Sequence, residues 1–219
     1  MEIDIYRNIM DQNDLIARSN MEFFEGNRVL AVNVMASPGA GKTSIILNTI
    51  ERLKEYMNFY VIEGDIASRI DADLLESRGI PVVQINTGGS CHLDANMVKN
   101  VLGNFSFNGG ILFIENVGNL VCPANFQLGE HIKLVILSVP EGHDKPFKYP
   151  SMFLKADAVI LNKIDLISAI DFDRKRFYEG VYSVNPYAPV FEISCRTGEG
   201  IGEWMKWLKE RYLERYEKL

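Results

Sequence analysis

Nine residues, ASPGAGKTS at positions 36–44, set glycines, a lysine and three hydroxyls in an order that can wrap a phosphate. Gly39 and Gly41 allow backbone N–H groups to approach anionic oxygens with no Cβ in the way, and Ala40 between them belongs to the same cradle. Lys42 is spaced to reach the β- and γ-phosphates of a nucleotide. The Thr43 hydroxyl can ligate Mg²⁺, and the helix beginning near Lys42, which includes Ser44, adds its positive dipole end to the attraction. The pattern is a Walker A loop with Ala36 where glycine is commoner. A chance glycine-rich turn is the alternative, but a strand before and a helix after disfavour it.

A second set of residues selects the base. LNKID at 161–165 supplies Asn162, Lys163 and Asp165 at the end of an apolar run. A carboxylate here can accept from both N1–H and the 2-amine of guanine, whereas adenine offers neither donor. The stem of Lys163 can cover the base face, and backbone around Cys195 and Arg196 in ISCRTGEG can contact it. GTP and GDP, rather than ATP, are the expected ligands. Glu115, ending the run GILFIE, and Asp65, in EGDIAS, are the carboxylates placed to hold Mg²⁺ or orient an attacking water. Lys42, Glu115 and Asp65 are therefore the expected catalytic set, with Thr43 completing the magnesium site. No glutamine stands in a water-orienting place and no arginine finger is evident, so intrinsic hydrolysis should be slow.

The third set is soft. Cys91 and His92 adjoin in GGSCHLDANMV, and Cys122 lies four residues beyond Gly118 in ENVGNLVCP. Thiolate and imidazole suit Zn²⁺, Ni²⁺ or copper. One chain offers only three such ligands, and a two-fold dimer would bring two sets together. Spacing alone leaves an alternative open: two small core cysteines, with His92 starting a helix.

Positioning these residues requires an α/β scaffold. The segments 29–35, 59–63, 81–85, 110–116, 132–139, 157–162 and 190–194 are short continuous apolar runs, the pattern of strands covered on both faces. Helical periodicity fills 42–54, 69–79, 92–102 and the closing 201–219. The implied fold is a doubly wound, mainly parallel sheet of the P-loop NTPase kind spanning 28–219. An N-terminal helical extension (1–27) is suggested by Ile5, Ile9 and Ile16. The formal net charge of −6 argues against a broad nucleic-acid-binding surface, and no apolar run approaches the roughly 20 residues that span a bilayer. An acidic start and three scattered cysteines fit a cytoplasmic protein. His131 is expected at a strand end, His143 has no nameable chemistry, and Trp204 and Trp207 should pack in the core.

Taken in order, the phosphate loop, EGD, GGSCHLDANMV, FIENVGNLVCP, EGHDKPFKYP and NKID resemble the HypB family from about Arg28 onward. These GTPases, of the SIMIBI class, assist nickel insertion into nickel–iron hydrogenase. The resemblance implies a homodimer with nucleotide at the shared face and a nickel or zinc site at the interface built from Cys91, His92 and Cys122. It also implies two partners, a HypA-type nickel chaperone and the hydrogenase large-subunit precursor. The cysteine-rich or histidine-rich N-terminal stretch of some members is not found here, since no Cys or His precedes Cys91. The related urease GTPases typically carry Cys-Pro-His at the metal position, where this chain has Cys-His. A scaffold whose nucleotide only fixes the dimer, and a GTPase loading a cobalamin enzyme, are the other readings.

Overall fold

The computed structural model describes residues 5–66 and 68–217, with side-chain surroundings from residue 10 onward. Ile5 and Ile9 thus have side chains outside the described residues, and Ile16 is half-buried. Seven strands form one sheet: β1 (Val29–Ala36), β2 (Phe59–Asp65), β3 (Val82–Asn86), β4 (Gly110–Glu115), β5 (Ile132–Ser138), β6 (Ala158–Asn162) and β7 (Val190–Ile193). Their order is β3-β2-β4-β1-β5-β6-β7. All six pairings are parallel, as expected of strands buried on both faces. The order reverses at β1, so its carboxyl end opens the crevice where ligands bind in such sheets.

The helices are α1 (Ile5–Gly26), α2 (Lys42–Leu53), α3 (Ile70–Ser77), α4 (Ala95–Val101), α5 (Lys145–Lys148), α6 (Pro150–Leu154), α7 (Arg174–Val184) and α8 (Ile201–Tyr216). On one face of the sheet, Val32, Val34, Phe113 and Ile160 pack against Ile46 and Ile50 of α2 and Trp204 and Leu208 of α8. On the other, Val135, Leu137 and Val159 meet Phe153 of α6 and Phe177 of α7, while Ala31, Leu112 and Ile114 meet Phe24 of α1 and Val98 of α4. Trp204 is a core residue as expected, its indole N–H donating to the Thr49 hydroxyl at 3.0 Å.

Two local expectations need correction. The helix read from His92 begins only at Ala95, because the Asp94 side chain accepts from the Met97 N–H at 2.7 Å and caps it there. Residues 91–94 are therefore loop, free to present side chains at the rim. The helix α7 was not anticipated; its Asp173 N-cap accepts from the Arg176 N–H, and it buries only Phe177, Gly180 and Val181 among many polar residues. Among the described residues no helix is long and apolar enough to cross a membrane.

Candidate nucleotide and metal sites

The phosphate loop connects β1 to α2, and Gly39 and Gly41 both take positive φ (77° and 99°), which a side chain would strain. Asn162, the last residue of β6, donates its amide to the Ala40 carbonyl at 2.9 Å. A Cβ on Gly41 would lie 2.4 Å from that same amide nitrogen. Lys163 donates to the Gly39 carbonyl at 2.7 Å. The residues expected at the base therefore also clamp the phosphate loop, which joins the two halves of a nucleotide site.

Beside the loop is a cavity of about 520 Å³. Ser44, Lys163, Asp165, Leu166, Cys195 and Arg196 are among its walls. Asp165 is oriented by the Ser194 hydroxyl, which donates to it at 2.7 Å, and Arg196 stands 3.9 Å from its other oxygen. Burial pushes the Cys195 thiol up to about 11, so it stays protonated and serves as wall rather than nucleophile.

The carboxylates gather at the ends of β2 and β4. Glu115 accepts from the Thr43 hydroxyl at 2.9 Å and lies 3.9 Å from the Lys42 ammonium. Its other oxygen is buried without a protein partner. Directly across the strand pairing sits Glu63, also buried with one unpartnered oxygen. Burial raises Glu115 to about 7, against the pull of Lys42; burial and the nearby Glu115 raise Glu63 to about 8. Two neighbouring buried carboxyls with orphaned oxygens beside a threonine hydroxyl are a donor set suited to a hard divalent cation. Asp65 sits farther out on the rim, where its carboxylate accepts from the Ser68 N–H at 2.7 Å. The sequence singled out Asp65 in EGD, but it did not mark Glu63. The available signal was an acid ending the apolar run FYVIE, as Glu115 ends GILFIE.

The soft ligands converge within a single chain. The donor atoms of Cys91, His92 and Cys122 all lie within 4.8 Å of one another, and among the described residues no other group of three His, Cys, Asp or Glu does so. The two sulfurs are 2.9 Å apart, and Cys91 Sγ is 3.7 Å from His92 Nδ1. All three are half-buried at the rim rather than sealed in the core. The His92 ring stacks on Phe126 with centroids 3.8 Å apart, and burial lowers its pKa, favouring the neutral form that ligates metals.

These loops are held from below by buried asparagines that sequence reading did not single out. Asn13 accepts from the Ala95 N–H at 2.9 Å and donates to the Gln127 carbonyl at 2.8 Å. Asn20 donates to the carbonyls of Ala95 and Leu128 at 2.8 and 2.9 Å. Helix α1 thereby ties the segment after Cys91–His92 to the segment after Cys122. Asn13, Ala17, Asn20 and Phe24 form one buried stripe of α1, and two amides in such a stripe were the missed cue. Gly118 packs against the phosphate loop, where a Cβ would lie 2.9 Å from the Pro38 nitrogen. His131 is structural: it accepts from the Ala31 N–H at 2.9 Å, and burial lowers it to about 4. His143 accepts from the Asp173 N–H at 3.2 Å, near the start of α7.

A parallel sheet reversing at β1, a glycine cradle there and a guanine-type Asn-Lys-x-Asp element define a P-loop nucleotide-binding domain of the GTPase type. The family CobW/HypB/UreG, nucleotide-binding domain, matches residues 30–192. Within it, the chain belongs to the HypB family of hydrogenase maturation factors. It is 48% identical over 208 residues to the hydrogenase maturation factor HypB of Azotobacter vinelandii, covering 94% of this chain and 69% of that one. It is 38% identical over 221 residues to the hydrogenase/urease maturation factor HypB of Helicobacter pylori strain J99, covering 99% and 90%. The crystal structure of HypB from Helicobacter pylori in complex with nickel superposes with a TM-score of 0.89 at 37% identity, covering 94% of this chain and 98% of that chain.

Proposed function

We propose that this protein is a Mg²⁺-dependent GTPase that handles nickel for insertion into nickel–iron hydrogenase. Nickel is its cargo, and nucleotide state controls the grip on it. The observation that carries this reading is the run from Glu115 through Gly118 to Cys122, which joins the phosphate site to a soft-ligand site on one short segment. Asp165 selects guanine, Asn162 and Lys163 brace the phosphate loop, and Lys42 meets the β- and γ-phosphates. Thr43 and Glu115 hold magnesium, with Asp65 and the added Glu63 completing the acidic surround. Bound magnesium would neutralise phosphate charge as the terminal bond breaks. A γ-phosphate at the loop presses on the Gly118 segment, and its loss releases that segment and alters the placement of Cys122.

Three ligands leave a metal short of a closed shell, and a second copy across a two-fold axis is the proposed source of the rest. The exposed apolar side chains of Ile66, Ile70, Leu74 and Val121 near these strand ends support such a homodimer face. A HypA-type nickel chaperone and the hydrogenase large-subunit precursor are the proposed partners. Nickel delivery to urease as well is a second reading, favoured because the Helicobacter pylori relative is named for both enzymes.

Titrating Ni²⁺ into the protein with GDP and with a non-hydrolysable GTP analogue tests the proposal. Different affinities are expected, and equal affinities defeat it. Zn²⁺ run in parallel reports which metal the site discriminates. If Lys42→Ala abolishes hydrolysis yet supports full hydrogenase maturation, the nucleotide only fixes a scaffold and the GTPase cycle is dispensable.

A further inference from the structure

One buried side chain joins the two metal-bearing loops on the nucleotide side. Asn116 follows Glu115 directly and is fully buried. Its backbone N–H donates to the Val34 carbonyl at 3.0 Å, fixing it to the strand that runs into the phosphate loop. Its side-chain oxygen accepts two N–H groups, those of Leu93 and Val117, each at 3.0 Å. Its amide donates to the Asn33 side-chain oxygen at 3.1 Å, and Asn33 donates onward to Glu130 at 3.2 Å. Glu130 is itself held by the Leu128 N–H at 2.6 Å and the Lys133 ammonium at 3.1 Å.

Leu93 is the residue after His92, and its side chain is as confined as its N–H. A Cβ on Gly64 would lie 2.7 Å from Leu93 Cδ1, so the side chain rests directly on the backbone between Glu63 and Asp65. The metal loop thus touches both carboxylate-bearing strand ends, through Leu93 in each case.

We infer that Asn116 is a positioning residue that transmits nucleotide state to Cys91–His92 through its hydrogen bond to the Leu93 N–H. The inference rests on the nucleotide-controlled metal handling proposed above and adds a second route to it, separate from the chain leading to Cys122. Oδ1 shares its two acceptor directions between the switch segment (Val117) and the metal loop (Leu93). An N–H left unpaired in the interior is costly, so when Val117–Gly118 moves against the phosphate loop the amide turns with it. Leu93 follows, and both sides of the metal site shift together rather than Cys122 alone.

The test measures Ni²⁺ affinity of the full chain with GDP and with a non-hydrolysable GTP analogue, in wild type, Asn116→Ala and Asn116→Asp. Coupled sites typically differ by about 5–150-fold between states. The wild-type ratio is expected in that range, Asn116→Ala should bring it toward one, and Asn116→Asp, which keeps an acceptor oxygen, should restore part of it. A wild-type ratio in Asn116→Ala overturns the inference while leaving nucleotide control standing. A ratio of one in wild type overturns nucleotide control and the inference together. If the alanine variant does not fold, amide exchange by NMR on the wild type decides. The Leu93 and Val117 amides should change protection together between the two nucleotide states, and a change at Val117 alone overturns the inference.

Discussion

Asn162 and Asn116 both stand at the carboxyl end of a strand in the same sheet, both fully or nearly buried, yet they serve sites of opposite construction. Asn162 braces a loop that is already complete in sequence: ASPGAGKTS needs only its glycines and the start of α2 to form a cradle. Asn116 braces a site assembled from two loops whose cysteines are 31 residues apart, held by side chains from α1, from β1 and from the residue after β4. The nucleotide half owes its geometry to backbone conformation, and the metal half owes it to a buried amide network. A site of the first kind should tolerate change in its surroundings. One of the second kind should fail when a distant support is removed.

The largest effect expected from this contrast is confined to the nucleotide half. Asp165→Asn replaces an acceptor with a donor and loses two charge-assisted hydrogen bonds, each worth about 1.5–3 kcal/mol, so guanine nucleotide affinity should fall by about 10²-fold or more. Xanthine carries a carbonyl where guanine has its 2-amine, so xanthosine diphosphate should recover binding. Nickel affinity without nucleotide should stay unchanged, and fluorescence titration of both ligands checks all three points. In the metal half, Asn13→Ala or Asn20→Ala should weaken nickel binding by about 10–100-fold, the usual cost of losing an outer support of a metal site. GDP affinity should hold. If these variants weaken both ligands equally, the two halves are not built separately and the comparison breaks.

The smallest effect joins the halves and depends on pH. Glu115 is raised to about 7 and Glu63 to about 8, so without magnesium both are largely protonated at weakly acidic pH. A carboxyl pKa raised by folding favours the native state at low pH, and that contribution is lost as pH climbs from the unfolded value of about 4.5 through 7–8. Thermal unfolding of the nucleotide-free protein should therefore show these groups withdrawing stability across that window. Magnesium must displace the proton, so Mg²⁺-dependent tightening of GDP should grow with pH by up to about tenfold per unit below 7 and level off above 8. A flat profile would mean that Glu115 does not meet the metal.

Much of the scaffold was legible because each strand is a short continuous apolar run, and all seven appear in the structure within one or two residues of where the sequence puts them. The phosphate and base elements were legible for a related reason: glycine spacing and strand-end position determine their shape locally. Helix α7 was not, since RKRFYEGVYSV buries too few apolar residues to show a clear stripe. The start of α4 was misplaced by three residues because the Asp94 cap, rather than apolar periodicity, sets it. Cys91, His92 and Cys122 could be named from their chemistry, but the loops that carry them are tied by Asn13, Asn20 and Asn116 through side-chain hydrogen bonds that include ones spanning 23 to 114 positions. Glu63 was hidden by its own burial, reading as part of a strand rather than as a ligand.

Crystals grown with nickel, in one form with magnesium and GDP and in another with magnesium and a non-hydrolysable GTP analogue, give the most direct test when anomalous scattering is recorded at the nickel edge. A nickel peak bonded to Cys91, His92 and Cys122 is expected in at least one state, with Gly118, Cys122 and Leu93 displaced between the two. A nickel peak elsewhere, or the same ligands in the same positions with both nucleotides, would contradict that expectation.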